Sequence, residues 1–247
     1  MSYFTLVKFY GLVVLKINGI NSLEDIGDYL HYPSWVLLAV AALGALAYLM
    51  GSINTAIIYS KLKYKDDIRK YGSGNAGMTN MMRVYGKGAG IVTIVGDLFK
   101  AVIPVFVSML LFGEVVAYFA GLCCIIGHAY PCYYGFKGGK GVMVTAATIL
   151  TVEPILFAIL FVVFLVIVLF TKYVSLGSII SALLIPVFMP QVHKLIYGEG
   201  ANELLSFAMV ICLVMAMFIL FLHKENIRRL LNHEENHIEF KKKKKKE

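Results

Sequence analysis

Charged side chains are scarce in this sequence. Asp, Glu, Lys and Arg make up 15% of its 247 residues, whereas hydrophobic residues make up 59%. A water-soluble domain carries more charge than this and has a smaller share of apolar residues. The composition therefore excludes an ordinary soluble protein and predicts a membrane protein with several hydrophobic spans.

Cysteine pairs and metal-ligand motifs are also missing. No CxxC pair occurs, and we interpret the cysteines as apolar filling. HExxH is absent, and the aspartates form no array that could hold a cation. The sequence therefore predicts neither a metal site nor a cofactor. The four cysteines are Cys123, Cys124, Cys132 and Cys212.

Hydrophobic segments fill most of the chain from residue 35 onwards. The predicted spans are residues 35–60, 88–112, 115–131, 142–152, 155–171, 173–190 and 206–222. A full span needs about 20 residues, so the segment 142–152 is short. With residues 155–171 it forms either one helix kinked at Glu153-Pro154 or two separate spans.

The distribution of positive charge decides between these two arrangements. Basic residues are expected on the cytoplasmic side, and the loop at residues 61–87 is strongly basic. Two separate spans place residues 224–229 and the lysines at 241–246 on that same side. The sequence therefore predicts an all-α integral membrane protein with seven transmembrane helices. Its N-terminus is outside, its C-terminus is cytoplasmic, and one short helix follows the Lys-Gly-Gly-Lys-Gly turn.

Three regions follow from this arrangement. Residues 1–34 are expected to form a peripheral N-terminal segment, and residues 35–230 the seven-span domain. Residues 231–247 are expected to be a basic cytoplasmic tail that anionic lipid attracts. The predicted location is a cell membrane, with the polar loops on its cytoplasmic side.

A polar, glycine-rich segment at residues 72–87 separates the first two spans. Glycine adopts positive φ readily, so several backbone N–H groups of such a loop can point at one anion. Arg83 adds a planar guanidinium that can bind two phosphate oxygens. No strand precedes the segment and GxxxxGK[ST] is not matched, which excludes a dinucleotide fingerprint and a P-loop. The segment is either a phosphate site or an ordinary turn. Its polar side chains include Ser73, Asn75, Thr79 and Asn80.

Two further polar clusters lie on the same predicted side. In one, glycines flank Lys137 and Lys140 just before a short helix, whose positive dipole end attracts anions. In the other, His223, Asn226 and Arg229 are spaced by three residues and share one helix face. Each has a plainer interpretation: the first is a basic cytoplasmic loop, and the second contains a structural histidine. Three such clusters on one side favour phosphate-bearing substrates beside lipid.

Asp97 and Lys100 lie within the second span, three residues apart, so they share a helix face. Charges at this depth are costly and require a function or a partner. Two interpretations stay open: a structural ion pair that supports the site, or direct contact with a substrate.

Three motifs resemble those of the bacterial acyl-phosphate:glycerol-3-phosphate acyltransferase family. The first comprises residues 51–54, 67–69 and 72–80 with Arg83, and the second Gly127-His128, Pro131 and residues 136–142. Asp97 and Lys100 match a pair in the family's second span. HxxxxD, expected of other glycerolipid acyltransferases, is absent. The third motif comprises His223, Asn226, Arg229, Leu230 and Glu235.

The resemblance implies a fold and an activity. The family has seven spans and transfers a fatty acyl group from acyl-phosphate to the 1-hydroxyl of glycerol 3-phosphate, giving lysophosphatidate and inorganic phosphate. It implies neither a nucleic-acid partner nor an obligate protein partner. The alternative is a membrane anion or phosphate-ester transporter. That class usually shows related halves and a site near the midplane, whereas here no repeat is visible.

The resemblance also implies roles for single residues. Catalytic roles fall to Arg83, Lys140, His223 and Asn226. Substrate or phosphate binding falls to Ser52, Ser73, Gly74, Asn75, Gly77, Thr79, Asn80, Lys137, Gly138 and Gly139. Structural support of the site falls to Asp97, Lys100, His128, Arg229 and Glu235.

Overall fold

The structure is a computed structural model that describes residues 34–197 and 203–237. Within these ranges the regular structure consists of ten α-helices and two 3-10 segments, and no β-strand occurs. The prediction of an all-α fold is confirmed for this part of the chain. The predicted peripheral segment at 1–34 and the basic tail at 231–247 lie mostly outside the described residues.

The helices form two packed units, with the boundary between Val152 and Glu153. The 3-10 segments, Ile68–Lys70 and Cys132–Tyr134, both belong to the first unit. The helices of the first unit are α1 (Ser34–Ser52), α2 (Thr55–Tyr64), α3 (Met78–Tyr85), α4 (Lys87–Phe112), α5 (Glu114–Ala129) and α6 (Val142–Val152). Those of the second are α7 (Pro154–Thr171), α8 (Val174–Tyr197), α9 (Glu203–Leu222) and α10 (Lys224–Leu231).

In the first unit, α1 packs against α4 and α5, and α4 also contacts α2, α3 and α6. Glycines allow the helices to approach closely. A Cβ on Gly51 would overlap the backbone of Cys124, and one on Gly127 would overlap the carbonyl of Tyr48. Because lipid supplies no hydrophobic force between helices, this close packing stabilises the pair α1 and α5.

The first predicted span, residues 35–60, is not one helix. The break lies at Ile53 and Asn54, between α1 and α2. Asn54 takes an extended conformation, and its side chain accepts a hydrogen bond from the Ile57 N–H at 3.1 Å. The asparagine thereby satisfies one of the N–H groups that the start of a helix leaves unpaired.

The predicted loop at residues 72–87 also differs, because it contains helix α3. Of the first three glycines in this segment, Gly72 and Gly74 take positive φ, at 60° and 71°, whereas Gly77 is extended. The run from Met78 to Tyr85 lacks glycine and proline, so it can form a helix. The irregular part is therefore confined to the residues before Met78.

In the second unit, α8 packs against α7, α9 and α10. Pro154 is the first residue of α7, a position that suits proline because the N–H there has no helical partner. Residues 142–152 and 154–171 thus form two helices, whereas the prediction that they are two separate spans stays a prediction. Glu153 is buried, and its Oε1 lies 2.6 Å from Nε2 of His193 in α8.

Several helices suit a membrane. Five candidate spans are long and apolar enough within the described ranges, or six if the bent pair α9 and α10 counts as one. α6 has 11 residues, which is shorter than the ~20 of a full crossing. The chain is therefore a multi-pass membrane protein, while the seven spans and their orientation stay predictions.

Candidate functional site

Loop A, residues 71–77, is shaped by the buried side chain of Asn80. The Oδ1 of Asn80 accepts a hydrogen bond from the Ser73 N–H at 3.0 Å. Its Nδ2 donates to the carbonyls of Tyr71 and Asn75, also at 3.0 Å. Asn80 is 1% exposed. This amide, predicted to bind phosphate, therefore makes its hydrogen bonds within the loop and holds it in one turn.

Loop B, residues 135–141, lies on the end of α5. The Gly138 N–H donates to the Ala129 carbonyl at 3.0 Å, and the Gly139 N–H to the His128 carbonyl at 3.1 Å. Carbonyls at the end of a helix lack intrahelical partners, so they accept these bonds. These two N–H groups are therefore bonded within the protein, and phosphate binding by Gly138 and Gly139 stays a prediction. Glycine is required there for space, since a Cβ on either residue would overlap His128.

Loops A and B contact each other through main-chain atoms. The Ala76 N–H donates to the Gly138 carbonyl at 3.4 Å. The Ala76 carbonyl accepts a hydrogen bond from Asn54 Nδ2, also at 3.4 Å. Asn54, the N-cap of α2, therefore also holds loop A. The structure thus brings together the first two of the three predicted clusters.

Arg69 makes a second connection between the same regions. Its Nη1 donates to the carbonyls of Tyr134 and Lys137 at 2.7 and 2.9 Å. Its Nε and Nη2 atoms bind the Asp67 carboxylate, with Nη2 2.7 Å from Oδ2. The hydrogen bond from Arg69 lowers the pKa of Asp67 although burial would raise it. A paired arginine of this kind fixes geometry at both of its ends.

Two of the predicted phosphate ligands are exposed cations. The side chains of Arg83 in α3 and Lys137 in loop B bond to no other described residue. Thr79 lies one helical turn before Arg83 and so shares its face. Lys140, in loop B, is half-buried and directly precedes Gly141 and α6. Exposed guanidinium and ammonium groups beside glycine loops are well suited to bind a phosphate group.

Asp97 and Lys100 form the ion pair that their spacing predicts. The Lys100 Nζ lies 2.9 Å from Asp97 Oδ1 and 2.8 Å from Nδ1 of His128. All three side chains are buried. The His128 ring in turn faces Gly139 of loop B. The three residues predicted to support the site in this unit are therefore in one cluster that contacts loop B.

Ser52, another predicted phosphate ligand, is buried in α1. Its Oγ donates to the Tyr48 carbonyl one turn earlier, at 2.9 Å. Serines in membrane helices often bond back in this way. A phosphate role for Ser52 stays a prediction. By contrast, Ser73 and Gly74 are exposed in loop A.

In the second unit, Glu235 accepts three hydrogen bonds from other side chains. Its Oε1 accepts from Ser175 Oγ at 2.9 Å and from Asn226 Nδ2 at 2.6 Å. Its Oε2 accepts from Arg229 Nε at 2.7 Å. Burial would raise the pKa of Glu235, but the hydrogen bonds from Arg229, Asn226 and Ser175 outweigh it and lower the pKa. The ionised carboxylate thus connects α8, α10 and the segment after α10.

His223 lies between α9 and α10 and is 3% exposed. Its Nδ1 is 2.8 Å from the Ile219 carbonyl. A carbonyl only accepts, so in the neutral ring Nδ1 carries the proton and Nε2 has the lone pair. This is a tautomer that can accept a proton at Nε2. The predicted face of three side chains is formed in part: Asn226 and Arg229 converge on Glu235, whereas His223 bonds back to α9.

Sequence reasoning assigned no role to four residues that hold these clusters, although three of them fall within residues 51–54 and 67–69 of the first motif. For Asp67 and Arg69 a signal existed, because an arginine two residues after an aspartate can pair with it. Asn54 and Ser175 gave none, since their partners are distant in sequence. Convergence of the third cluster, around Glu235, with the other two stays a prediction.

Comparisons with known proteins agree on one family. The family model described as glycerol-3-phosphate acyltransferase matches residues 40–233. The chain is 37% identical to the glycerol-3-phosphate acyltransferase of Finegoldia magna over 201 residues, covering 81% of this chain and 97% of that protein. It is 39% identical to the enzyme of that name from Syntrophomonas wolfei over 198 residues, covering 80% and 96%.

Solved structures give a similar result. The fold is similar to a crystal structure of PlsY (YgiH), an integral membrane glycerol 3-phosphate acyltransferase, in its glycerol 3-phosphate form. The TM-score is 0.74 and the identity 34%, with 81% of this chain and 96% of that chain covered. For the lysophosphatidic acid form of the same protein the TM-score is 0.71 and the identity 32%, with the same coverage.

Proposed function

The chain belongs to the glycerol-3-phosphate acyltransferase family, and we propose that it transfers a fatty acyl group from acyl-phosphate to the 1-hydroxyl of glycerol 3-phosphate. The products are lysophosphatidate and inorganic phosphate, which makes this the first acylation of phospholipid synthesis. One observation carries the proposal: two glycine loops are joined at Ala76 and Gly138. Beside them lie two exposed cations, Arg83 in α3, which follows loop A, and Lys137 in loop B.

The enzyme crosses the bacterial plasma membrane seven times in this proposal. Its N-terminus is outside, and loops A and B and the C-terminus face the cytoplasm. Support comes from the positive charge, which gathers in residues 61–87 and 224–229. In this arrangement α6 is the short crossing between loop B and Glu153. Both substrates then reach the loops from the inner leaflet or the cytoplasm.

The phosphate groups of the two substrates bind at loops A and B. Arg83 and Lys140 neutralise the negative charge, and Lys137 adds to the positive potential. His223 and Asn226 orient glycerol 3-phosphate, with the Asn226 amide held by Glu235. The acyl chain lies among apolar helices, open to lipid. The remaining ligands proposed for phosphate are Ser73, Gly74, Asn75, Gly77 and Thr79.

The reaction needs alignment and charge neutralisation more than a covalent nucleophile. Acyl-phosphate is a mixed anhydride, and its phosphate is a good leaving group. The 1-hydroxyl oxygen attacks the acyl carbonyl carbon, and the bond from that carbon to the phosphate oxygen breaks with its electron pair. The hydroxyl proton passes either to Nε2 of His223 or to the departing phosphate. The tautomer of His223 described above suits the first route.

The test is phosphate release from palmitoyl-phosphate by the protein purified in detergent. Glycerol 3-phosphate is present, and no metal or coenzyme A is added. We expect turnover by the wild type and a loss of about 100-fold in kcat/KM for Arg83→Ala and for Lys140→Ala, since groups that stabilise developing charge have effects of that size. Lys87→Ala is the matched control, because Lys87 is an exposed cation at the start of α4.

Three results would contradict the proposal in different ways. A wild type that releases no phosphate would exclude acyl-phosphate as the donor. Unchanged rates in both Arg83→Ala and Lys140→Ala would show that the phosphate site lies elsewhere. A loss in Lys87→Ala equal to that in the other two would show that only the overall charge matters.

A further inference from the structure

Lys100 has three close polar neighbours inside the protein. Its Nζ lies 2.9 Å from Asp97 Oδ1, 3.0 Å from the Ile53 carbonyl oxygen and 2.8 Å from His128 Nδ1. An ammonium group has three donors. The Lys100 side chain is 5% exposed. Its Nζ is therefore enclosed by groups of the protein itself, and an effect on the reaction is expected to pass through those groups.

One of these groups, His128, contacts loop B. Lysine only donates, so Nδ1 of His128 accepts and the neutral ring carries its proton on Nε2. Nε2 faces Gly139, where an added Cβ would overlap both Nε2 and the Ala76 carbonyl. The His128 carbonyl also accepts the Gly139 N–H at 3.1 Å. The ring and the main chain of His128 therefore both set the position of Gly139.

Another group, the Ile53 carbonyl, is connected to loop A through Asn54. The Ile53 carbonyl lies at the break between α1 and α2, where carbonyls lack helical partners. The next residue, Asn54, is the N-cap of α2 and donates from Nδ2 to the Ala76 carbonyl at 3.4 Å. Lys100 thus holds the break from which Asn54 reaches loop A. The position of Ala76 depends on that break.

The two routes meet where the loops contact each other. The Ala76 N–H donates to the Gly138 carbonyl at 3.4 Å. This hydrogen bond and that from Asn54 are long, hence weak, so they do not fix the loops by themselves. Lys100, the helix break, loop A, loop B and His128 form a closed series of contacts. Loss of one member loosens both loops, because such networks act together.

We propose that Lys100 is a positioning residue that keeps loops A and B in their relative position and acts on loop B through His128. Asp97 supplies the opposite charge that a buried ammonium group needs. The role rests on the proposed function, because loops A and B are the phosphate-binding loops of that proposal. Misplaced loops would raise KM for the phosphate-bearing substrates and also lower kcat.

A double-mutant cycle tests the route through His128. Lys100→Met and His128→Leu are each expected to lower kcat/KM by about 100-fold, the effect of a small misplacement of binding groups. If both act through the same contact, the double variant is worse than the poorer single variant by less than about threefold. Independent effects would instead multiply.

Rescue by a conservative variant separates positioning from general damage. His128→Asn offers an amide oxygen near the place of Nδ1, so it can accept from Lys100. We expect it to stay within about tenfold of the wild type, unlike His128→Leu. Ser108→Ala is the control in the same helix, since its buried hydroxyl bonds to no described residue. If Lys100→Met does not fold, the comparison of His128→Asn with His128→Leu decides the point.

The outcomes distinguish this role from the proposed function. With an active wild type, wild-type kinetics in Lys100→Met or losses that multiply would overturn the positioning role and leave the reaction intact. An inactive wild type would overturn the reaction alone. Calorimetric titration with glycerol 3-phosphate would then decide the role: at least about tenfold weaker binding in Lys100→Met supports it, and a smaller change or none overturns it.

Discussion

The loops of the first unit and the Glu235 cluster of the second are held by different kinds of hydrogen bond. Main-chain groups join loops A and B to each other and to α5, as between Ala76 and Gly138. In the second unit, three side chains donate to the single carboxylate of Glu235. The first arrangement should therefore be sensitive to added volume, and the second to lost charge.

The largest effect is expected from one methyl group in loop B. In Gly139→Ala the new Cβ overlaps Nε2 of His128 and the Ala76 carbonyl. Both loops must move apart, and we expect kcat/KM for acyl transfer to fall by about 100-fold or more. Gly88→Ala is the control, because no atom lies within 4 Å of its added Cβ. Equal activity in the two variants would contradict the importance of main-chain contact.

Lost charge in the second unit should have the next largest effect. Glu235→Gln keeps one acceptor oxygen but removes the charge opposite Arg229, whose side chain is 25% exposed. Leaving such donors unsatisfied costs about 1–3 kcal/mol, so the free energy of unfolding should fall by that amount. Thermal unfolding in detergent measures it. The exposed neighbour offers the comparison: Glu234→Gln should leave the midpoint unchanged.

The contrast between the units also explains what the sequence could predict. Long hydrophobic runs gave the helices, and Glu153-Pro154 marked a real break, because charge and proline both act locally. The Asp97–Lys100 pair followed from helical spacing alone. These features depend on neighbours within one helical turn, which is the information that a single sequence contains.

Other features depend on partners distant in the chain. Ser175 and Glu235 are 60 residues apart, and Asn54 and Ala76 are 22 apart. The N–H groups of Gly138 and Gly139 donate to carbonyls at the end of α5, which the sequence does not indicate. No local pattern shows which acceptor a loop N–H will meet, so only tertiary structure assigns it.

Acid should weaken the carboxylate cluster more than the loops. The pKa of Glu235 in the folded protein lies below its ordinary value of about 4.3. The unfolded chain then binds the proton more readily, so the stabilisation is present above about pH 4.3 and is lost as pH falls through the folded pKa.

Unfolding midpoints between about pH 3 and 7 measure this loss. The wild-type and Glu235→Gln curves should converge in acid, because the wild type then lacks the charge too. Asp67 in the first unit should also stabilise the fold less in acid, since its pKa is lowered too. Some acid sensitivity should therefore remain in Glu235→Gln. It should decrease further when Asp67→Asn is added to that variant. Parallel curves for wild type and Glu235→Gln would show that this carboxylate is not the group that titrates.

The smallest effect is expected at Arg228, next to Arg229 in α10. Its Nε lies 3.2 Å from Glu225 Oε2, with side chains 69% and 57% exposed. Exposed pairs of this kind contribute about 0–1 kcal/mol, so Arg228→Ala should leave the free energy of unfolding and kcat/KM nearly unchanged. Arg229→Ala should be clearly destabilising, because it removes a donor from a buried carboxylate. Both variants remove one positive charge from the same short helix. If they were equally harmful, the overall charge of α10 would hold the Glu235 cluster, and Glu235 would not be its centre.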